Sequence, residues 1–277
     1  MLTTARRACL IENALAPPKK AAFAFLLLLL REHLISAAEI GLLQVSDRGP
    51  IFQPANLEAD RIEAWSSFNM YLYAERHSYV YIHVAANKTR DRRGSWNKVY
   101  WARKLLHRFD YLVICDFDVM FVDVERRIED LMDHWGWTPK ALVLASLDPD
   151  VPRNHITWQN GSKIVAANTG FIILRNDPKV KRMLQDWWDC PVVIPGCEKW
   201  LKRQGGHLYT DQGAWNEFVR MRFTQQELIL VHCNQANGHP KSLLCNGEHV
   251  KHFWTDKSGM IKCLHKSILK GIIDQPL

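Results

Sequence analysis

The stretch Tyr111-Leu-Val-Ile-Cys-Asp116-Phe117-Asp118-Val-Met-Phe-Val-Asp123 is an apolar run that ends in two aspartates one residue apart. Read as a strand, its side chains alternate between faces, so Asp116 and Asp118 point the same way. Two carboxylates that close repel each other and make poor core material. A divalent cation resolves the conflict, and Mg²⁺ and Mn²⁺ both take carboxylate oxygen. At the C-terminal end of a buried strand, such a site sits where open α/β sheets bind their ligands. The alternative is a strand running into an acidic turn, and Asp-x-Asp alone does not decide between the two.

The sequence on either side supplies the architecture. Ile40-Gly-Leu-Leu-Gln-Val-Ser-Asp47 reads as a first buried strand, stopped by Arg48-Gly49-Pro50. Asn56 is a candidate cap for a helix through about Arg76, with Ile62, Trp65, Phe68, Met70, Leu72 and Tyr73 forming a loose apolar face. Tyr79 to Val84 is a second strand, rich in aromatic and β-branched residues. Gly94-Ser95 opens a helix, Trp96 to about Arg108, which leads straight into the acidic run. Strand, helix, strand, helix, strand implies a parallel sheet with right-handed crossovers.

Downstream, Arg127 to Trp135 reads as a short helix and Ala141 to Ala145 as a buried strand. His155 to Ala167 reads as a hairpin turning at Asn160-Gly161. Phe171 to Leu174 is a strand preceded by Asn168-Thr169-Gly170, and Pro178 to Trp188 is a helix with proline in its first turn. Asp211 to Met221 is helical and Leu228 to Val231 a late strand. The expected fold is α/β: one Rossmann-like domain over 39–277, with a mostly parallel central sheet and flanking helices, behind a leader or signal/anchor-like segment of 1–38.

Composition bounds the partners. A chain of 277 residues with 47% hydrophobic residues can bury a full core. The net charge of +7 suits anionic ligands. The densest basic patch (Lys88, Arg90, Arg92, Arg93, Lys98) carries no RNA-recognition or helix-turn-helix signature, so nucleic acid is not an expected partner. Eleven tryptophans hint at sugar platforms and equally at core and interface packing.

Among seven cysteines, Cys190/Cys197 and Cys233/Cys245 each bracket a short loop, as disulfides in an oxidising compartment or as reduced structural thiols. Cys9 and Cys115 look unpaired. Asn87-Lys-Thr and Asn160-Gly-Ser are sequons. Lys19-Lys20 precede ten apolar residues, Ala21 to Leu30. That run is shorter than the roughly 20 needed to span a bilayer, has the length of a signal-peptide core, and is the segment through which a membrane would be met. The expected location is the secretory pathway, in the Golgi lumen.

Four further features gather around the acidic pair. Lys98, one helix upstream, can reach a phosphate or sugar near the strand ends, or be a solvated helix lysine. Asn168-x-Gly170 allows a close backbone approach and an amide for hydroxyls, or is an ordinary turn. Asp211-Gln212 opens a helix after Gly205-Gly206, where aspartate is commonly a cap. His252, in Lys251-His-Phe-Trp-Thr-Asp-Lys257, can offer imidazole to a cation, and Lys257 a charge to a phosphate.

Taken in order, these features resemble the GT-A class of nucleotide-sugar glycosyltransferases. The closest look is to the retaining α-galactosyl/α-mannosyltransferase family of the fungal Golgi and its plant xylosyltransferase relatives. The resemblance covers residue 40 to about 258 and is strongest over Trp96 to Asp123, Asn168 to Asn176 and Asp211-Gln212. It implies a GT-A domain with a small antiparallel addition to the sheet, and transfer of a hexose or pentose from a UDP- or GDP-linked sugar to a glycan or glycoconjugate hydroxyl. It implies Mn²⁺ (or Mg²⁺) on Asp116, Asp118 and His252. Donor contacts would come from Asp47, Lys98, Asp116, Gly170 and Lys257, with Asn168, Asp211 and Gln212 lining donor sugar and acceptor. Phe253-Trp254 follows His252 where that family commonly has a glycine-containing segment. If the enzyme retains configuration, the leaving phosphate takes the proton; if it inverts, a carboxylate such as Asp211 or Glu217 acts as base.

Two other functions fit parts of the pattern. Val113 to Val119 matches the apolar strand into Asp-x-Asp of haloacid-dehalogenase phosphatases. Their later acidic pair is not found, and two strand-helix units precede the motif here. A relative that binds nucleotide sugars without turnover is the non-enzymatic reading.

Overall fold

The computed structural model describes residues 38–47, 62–87, 89–151, 154–157, 162–201, 210–254 and 259–264. The apolar run at 21–30, Arg48-Gly49-Pro50, the Asn56 cap, the Asn160-Gly161 turn, Gly205-Gly206 and Lys257 lie outside them.

The first half alternates as the sequence predicts: β1 (Ile40–Ser46), α1 (Ile62–His77), β2 (Val80–Ala85), α2 (Asn97–Leu105) and β3 (Tyr111–Cys115). Then come β4 (Val119–Phe121), α3 (Ile128–His134), β5 (Val143–Leu147), and the hairpin strands β6 (His155–Thr157) and β7 (Lys163–Val165). The rest is β8 (Ala167–Arg175), α4 (Pro178–Val193), α5 (Asp211–Ala214), β9 (Leu228–Val231), β10 (Ala236–Gly238) and β11 (Val250–His252).

Six strands form the central sheet in the order β2-β1-β3-β8-β5-β9. The β1/β2, β1/β3 and β5/β9 pairs are parallel, and β8 runs antiparallel between β3 and β5. A smaller sheet orders β10-β11-β4, with β11 antiparallel to β4 and parallel to β10.

Both faces of the sheet are covered, which is why its middle strands read as unbroken apolar runs. Leu112, Val113 and Ile114 are at most 1% exposed, and each such side chain contributes about 1.5–3 kcal/mol of burial. Leu43 joins the cluster built from Trp96, Val99, Leu106, Leu184, Trp187 and Trp215 of the α2, α4 and α5 side. Its neighbour Gln44 faces the other way, as strand alternation requires, and donates to Ser66 Oγ of α1 at 2.8 Å. On that side Tyr73 of α1 stacks on Phe121 of β4 with centroids 3.8 Å apart.

Three boundaries differ from the sequence reading. Helix α4 starts as expected, with Pro178 and an Asp177 side chain that accepts from Lys179 N at 2.7 Å. It then passes Trp188 and runs to Val193 with Pro191 in its last turn, where Cys190 is bonded to Cys197. The Asp211 helix changes after one turn into a wider π-turn, Trp215–Val219. Asn168-Thr169-Gly170 does not precede a strand; it lies inside β8. Among the described residues no helix is long and apolar enough to cross a membrane.

Candidate active site and metal centre

Because β8 is antiparallel, its first residues share an edge with the C-terminal ends of β1, β3 and β5. Asp47 follows β1, Asp116 follows β3 and Asp148 follows β5, so three parallel strands each end in a carboxylate. Asp116 N donates to Gly170 O at 2.8 Å, continuing the β3/β8 ladder by one bond.

The acidic pair is brought together by a turn and not by the pleat. Strand β3 stops at Cys115, and Val119 N donates to Asp116 O at 3.0 Å, closing a tight turn over Asp116-Phe117-Asp118. The turn is pinned from below by the buried Gln44, whose amide donates to Asp116 O at 3.3 Å and whose Oε1 accepts from Tyr81 OH at 2.8 Å. The chain then enters β4, which pairs with β11 so that His252 lies opposite Val119. One carboxylate oxygen each from Asp116 and Asp118 and a ring nitrogen of His252 lie within 4.8 Å of one another. His252 Nε2 is 3.0 Å from Asp118 Oδ1. Two carboxylates and an imidazole form a donor set that suits Mn²⁺ or Mg²⁺. Nδ1 of His252 is buried and has no hydrogen-bond partner among the described residues.

Gly170 makes this approach possible. A Cβ built there would lie 2.4 Å from His252 Cε1 and 2.8 Å from its Nδ1, well inside normal contact. Gly94 plays a similar part for Asp47, whose Oδ2 would meet a Cβ at 2.2 Å.

Lys98 sits beneath the pair, 5% exposed. It donates to Asp116 Oδ1 and Oδ2 at 3.0 and 3.1 Å, to Thr169 O at 3.0 Å, and contacts Asp211 Oδ2 at 3.1 Å. Burial works against its ammonium, but the charges of Asp116 and Asp211 outweigh that and hold its pKa above the ordinary lysine value. Burial likewise raises the Asp116 pKa; Lys98 opposes the rise and Asp118 adds to it.

Asp211, Gln212 and Asn168 form the inner wall. A bulge between Ala145 and Ser146 disrupts β5/β8 pairing opposite Thr169 and Gly170, and side chains take up their backbone donors. Thr169 N donates to Gln212 Oε1 at 3.1 Å and Gly170 N to Asn168 Oδ1 at 2.8 Å. These two bonds orient both amides, so each NH₂ faces Asp148: Asn168 Nδ2 to Oδ1 and Gln212 Nε2 to Oδ2, both at 2.8 Å. Burial raises the Asp148 pKa, opposed by these amides. Asp211 accepts from Thr169 Oγ1 through Oδ2 and from Thr210 Oγ1 through Oδ1, each at 3.1 Å. Within the π-turn, Asn216 grips Ala167 at both its N–H and C=O, each at 2.7 Å. Glu217 points elsewhere, into Lys199 and Trp200 Nε1.

The structure thus brings together Lys98, Asp116, Asp118, Asn168, Gly170, Asp211, Gln212 and His252. Asp47 stands at the end of the neighbouring strand β1, and Lys257 lies outside the described residues. Sequence reasoning passed over Asp148 and Asn237. Asp148 had a signal, because Ala141 to Leu147, apolar but for Ser146, is a run followed by a carboxylate, as Tyr111 to Cys115 is. Asn237 offered only an Asn-Gly step inside a cysteine-bounded loop. Both anticipated disulfides, Cys190–Cys197 and Cys233–Cys245, are formed, and Cys115 is a buried thiol.

No protein-family model matches the sequence, and neither does any curated protein. The fold does have solved counterparts. A glycosyltransferase involved in glycosylation of the major capsid of PBCV-1 superposes with a TM-score of 0.57 at 12% identity, over 82% of this chain and 99% of that one. The apo structure of the bifunctional glycosyltransferase WbbM superposes with a TM-score of 0.48 at 10% identity, over 86% of this chain and 52% of that one. The first likeness shows that this chain has the mixed α/β fold of a glycosyltransferase.

Proposed function

We propose that this protein is a metal-dependent glycosyltransferase that moves a sugar from a nucleoside diphosphate to a glycan or glycoconjugate hydroxyl. The observation that carries the reading is the convergence of Asp116, Asp118 and His252 within 4.8 Å at the C-terminal edge of the central sheet. The capsid-glycosylating enzyme of the same fold supports it. Asp116, Asp118 and His252 would hold Mn²⁺ or Mg²⁺, which when bound neutralises charge on a departing diphosphate. Lys98 holds Asp116 and Asp211 in place. Asn168, Gln212 and Asp211 line the donor sugar and acceptor, Asp47 faces the nucleoside, and Lys257 serves the diphosphate.

In the transfer, the bond from the anomeric carbon to the diphosphate oxygen breaks and a bond to the acceptor oxygen forms. Positioning of the acceptor supplies much of the acceleration. We favour retention of configuration, as in the fungal and plant families that the sequence resembles. Asp211 is hydrogen-bonded through both oxygens and Glu217 is taken by Lys199 and Trp200, so neither is poised as a base. The acceptor proton then leaves with the diphosphate. Two short-loop disulfides and the exposed sequon residue Asn87 favour work in the secretory pathway, with the Golgi lumen as the compartment.

The test is a panel of UDP- and GDP-sugars assayed for hydrolysis with and without Mn²⁺. Metal-dependent release of the nucleoside diphosphate, abolished by Asp118→Ala, is expected, and NMR of the first-formed sugar reads its anomeric configuration. Failure with every donor, or phosphate release from simple phosphomonoesters, overturns the reading.

A further inference from the structure

The loop closed by Cys233–Cys245 carries strand β10 to the inner wall of the site. Its cysteine Cα atoms are 4.9 Å apart. Gly238, within it, is so tightly surrounded that a Cβ would fall 2.1 Å from Cys233 O and 2.3 Å from Cys245 O. Between them the chain holds Asn237 at φ 62, a left-handed conformation uncommon outside glycine, though asparagine tolerates it best. Pairing of β10 with β11 (Ala236↔Val250, Gly238↔Lys251) puts Asn237 beside the strand that ends in His252.

Asn237 is 1% exposed, and its Nδ2 donates to Asn168 Oδ1 at 2.7 Å. Asn168 Oδ1 therefore accepts twice, from Gly170 N and from Asn237, and its NH₂ is committed to Asp148. The other end of the Asn237 amide, Oδ1, is buried and has no partner among the described residues, as is true of His252 Nδ1. The two orphans are complementary. When Nε2 of a histidine serves a metal, Nδ1 carries the proton and needs an acceptor, and such partners fix the ring and its basicity. Both orphans lie around Gly170 and Asn168 Oδ1: a Cβ at Gly170 would be 2.8 Å from His252 Nδ1 and 3.0 Å from Asn168 Oδ1.

We propose that the disulfide-closed loop is part of the reaction centre, and that Asn237 is a positioning residue that locks Asn168 by its NH₂ and orients His252 through its Oδ1 by one bridging water. The proposal rests on the metal-dependent reading above and adds to it a dependence on the Cys233–Cys245 bridge. The bridge helps to hold Asn237 at positive φ with its amide buried against Asn168.

The experiment titrates Mn²⁺ into the full chain and reads free metal by electron paramagnetic resonance, which needs no turnover. Asn237→Gly keeps the backbone conformation open and deletes the amide. It is expected to weaken Mn²⁺ binding about tenfold or more, and to lower kcat for donor hydrolysis with KM for the donor little changed. The paired substitution Cys233→Ser, Cys245→Ser is expected to weaken binding similarly, and adding Asn237→Gly to it should cost little more. This non-additivity is what a loop that merely stabilises the fold would not produce. Unchanged Mn²⁺ affinity in Asn237→Gly overturns the proposal, as do additive losses in the combined variant. If the glycine variant does not fold, the cysteine pair alone decides by the same titration. Wild-type chain that binds Mn²⁺ and hydrolyses no donor sinks the transferase reading alone, because the metal titration still judges Asn237.

Discussion

Replacing Gly170 by alanine tests the proposed metal centre through one methyl group. No positive φ stands in its way, so the backbone accepts the residue; the obstacle is His252. The new Cβ would sit 2.4 Å from Cε1, where carbon–carbon contact needs about 3.5–4.0 Å. The ring must retreat by about 1 Å or more. That displacement breaks a 3.0 Å contact between Nε2 and Asp118 Oδ1 and disturbs the edge-to-face packing on Trp254, with centroids 5.1 Å apart. Overpacking of this kind costs about 1–3 kcal/mol. A misplaced ligand costs about 10–100-fold in metal affinity, or about 1.4–2.8 kcal/mol. The assay combines Mn²⁺ titration with chemical denaturation for wild type, Gly170→Ala, His252→Ala and the double variant. With the imidazole already gone, the alanine should cost little, giving a coupling of about 1 kcal/mol or more. Equal cost in both backgrounds, or wild-type Mn²⁺ affinity in Gly170→Ala, would refute the argument that Gly170 exists to seat His252.

Two further outcomes follow from the buried charges. Lys98→Met leaves Asp116 and Asp211 facing each other without their cation, and should destabilise by about 3–5 kcal/mol. Since the folded lysine pKa is raised, its contribution is complete below the unfolded value of 10.5 and is lost only as pH climbs through the folded one. The gap to wild type, measured by urea unfolding, should therefore stay flat from pH 6 to 9; a gap under about 1 kcal/mol would contradict the ion-pair geometry. Asp148→Asn turns one amide donor toward another, and should cost about 1–3 kcal/mol. Because burial raises the wild-type carboxyl pKa, the wild type is favoured most below the ordinary value of 3.8 and loses that advantage as pH rises through the folded value. The variant should therefore close on wild type between pH 4 and 7, and a gap that widens over that range refutes a raised Asp148.

What could be read from the sequence was local, and what could not was set by distant contacts. The order β1-α1-β2-α2-β3 is written in apolar runs and helix openers, each within its own segment. The Asp116/Asp118 pair was legible for the same reason, although the tight turn that joins the residues was not, because it depends on Gln44 bonding Asp116 O across two strands. Asn168 was expected ahead of a strand. It lies within β8 because Ser146 and Leu147 of β5 pair with Asn168 and Ala167 beyond the bulge, while Asn216, on a π-turn forty-eight residues later, bonds the other side of Ala167 as a strand would. Asn237 was invisible, since its meaning comes only from meeting Asn168 across sixty-nine positions.

The arrangement of charge at the strand ends gives the site a direction. Lys98 and Asp211 are the inner pair, with side chains 6% and 4% exposed and 3.1 Å apart. Asp116 and Asp118 are the outer pair, 33% and 16% exposed. Asp116 spends its inward face on Lys98, and Asp118 meets His252. The uncompensated negative charge therefore faces outward, where a hydrated cation can arrive without shedding all its water. On the proposed reading, a diphosphate must follow the cation to that outer side, which leaves the neutral sugar on the side of Asn168 and Gln212, whose amides are fixed by Thr169 N, Gly170 N and the Asp148 carboxylate. A lysine in the outer position would repel the cation, and the buried carboxylate in the inner one is paired with Lys98. On that reading, the burial gradient from Asp211 to Asp116 would separate the part of the site that takes charge from the part that takes hydroxyls, which the spacing of two aspartates alone could not do.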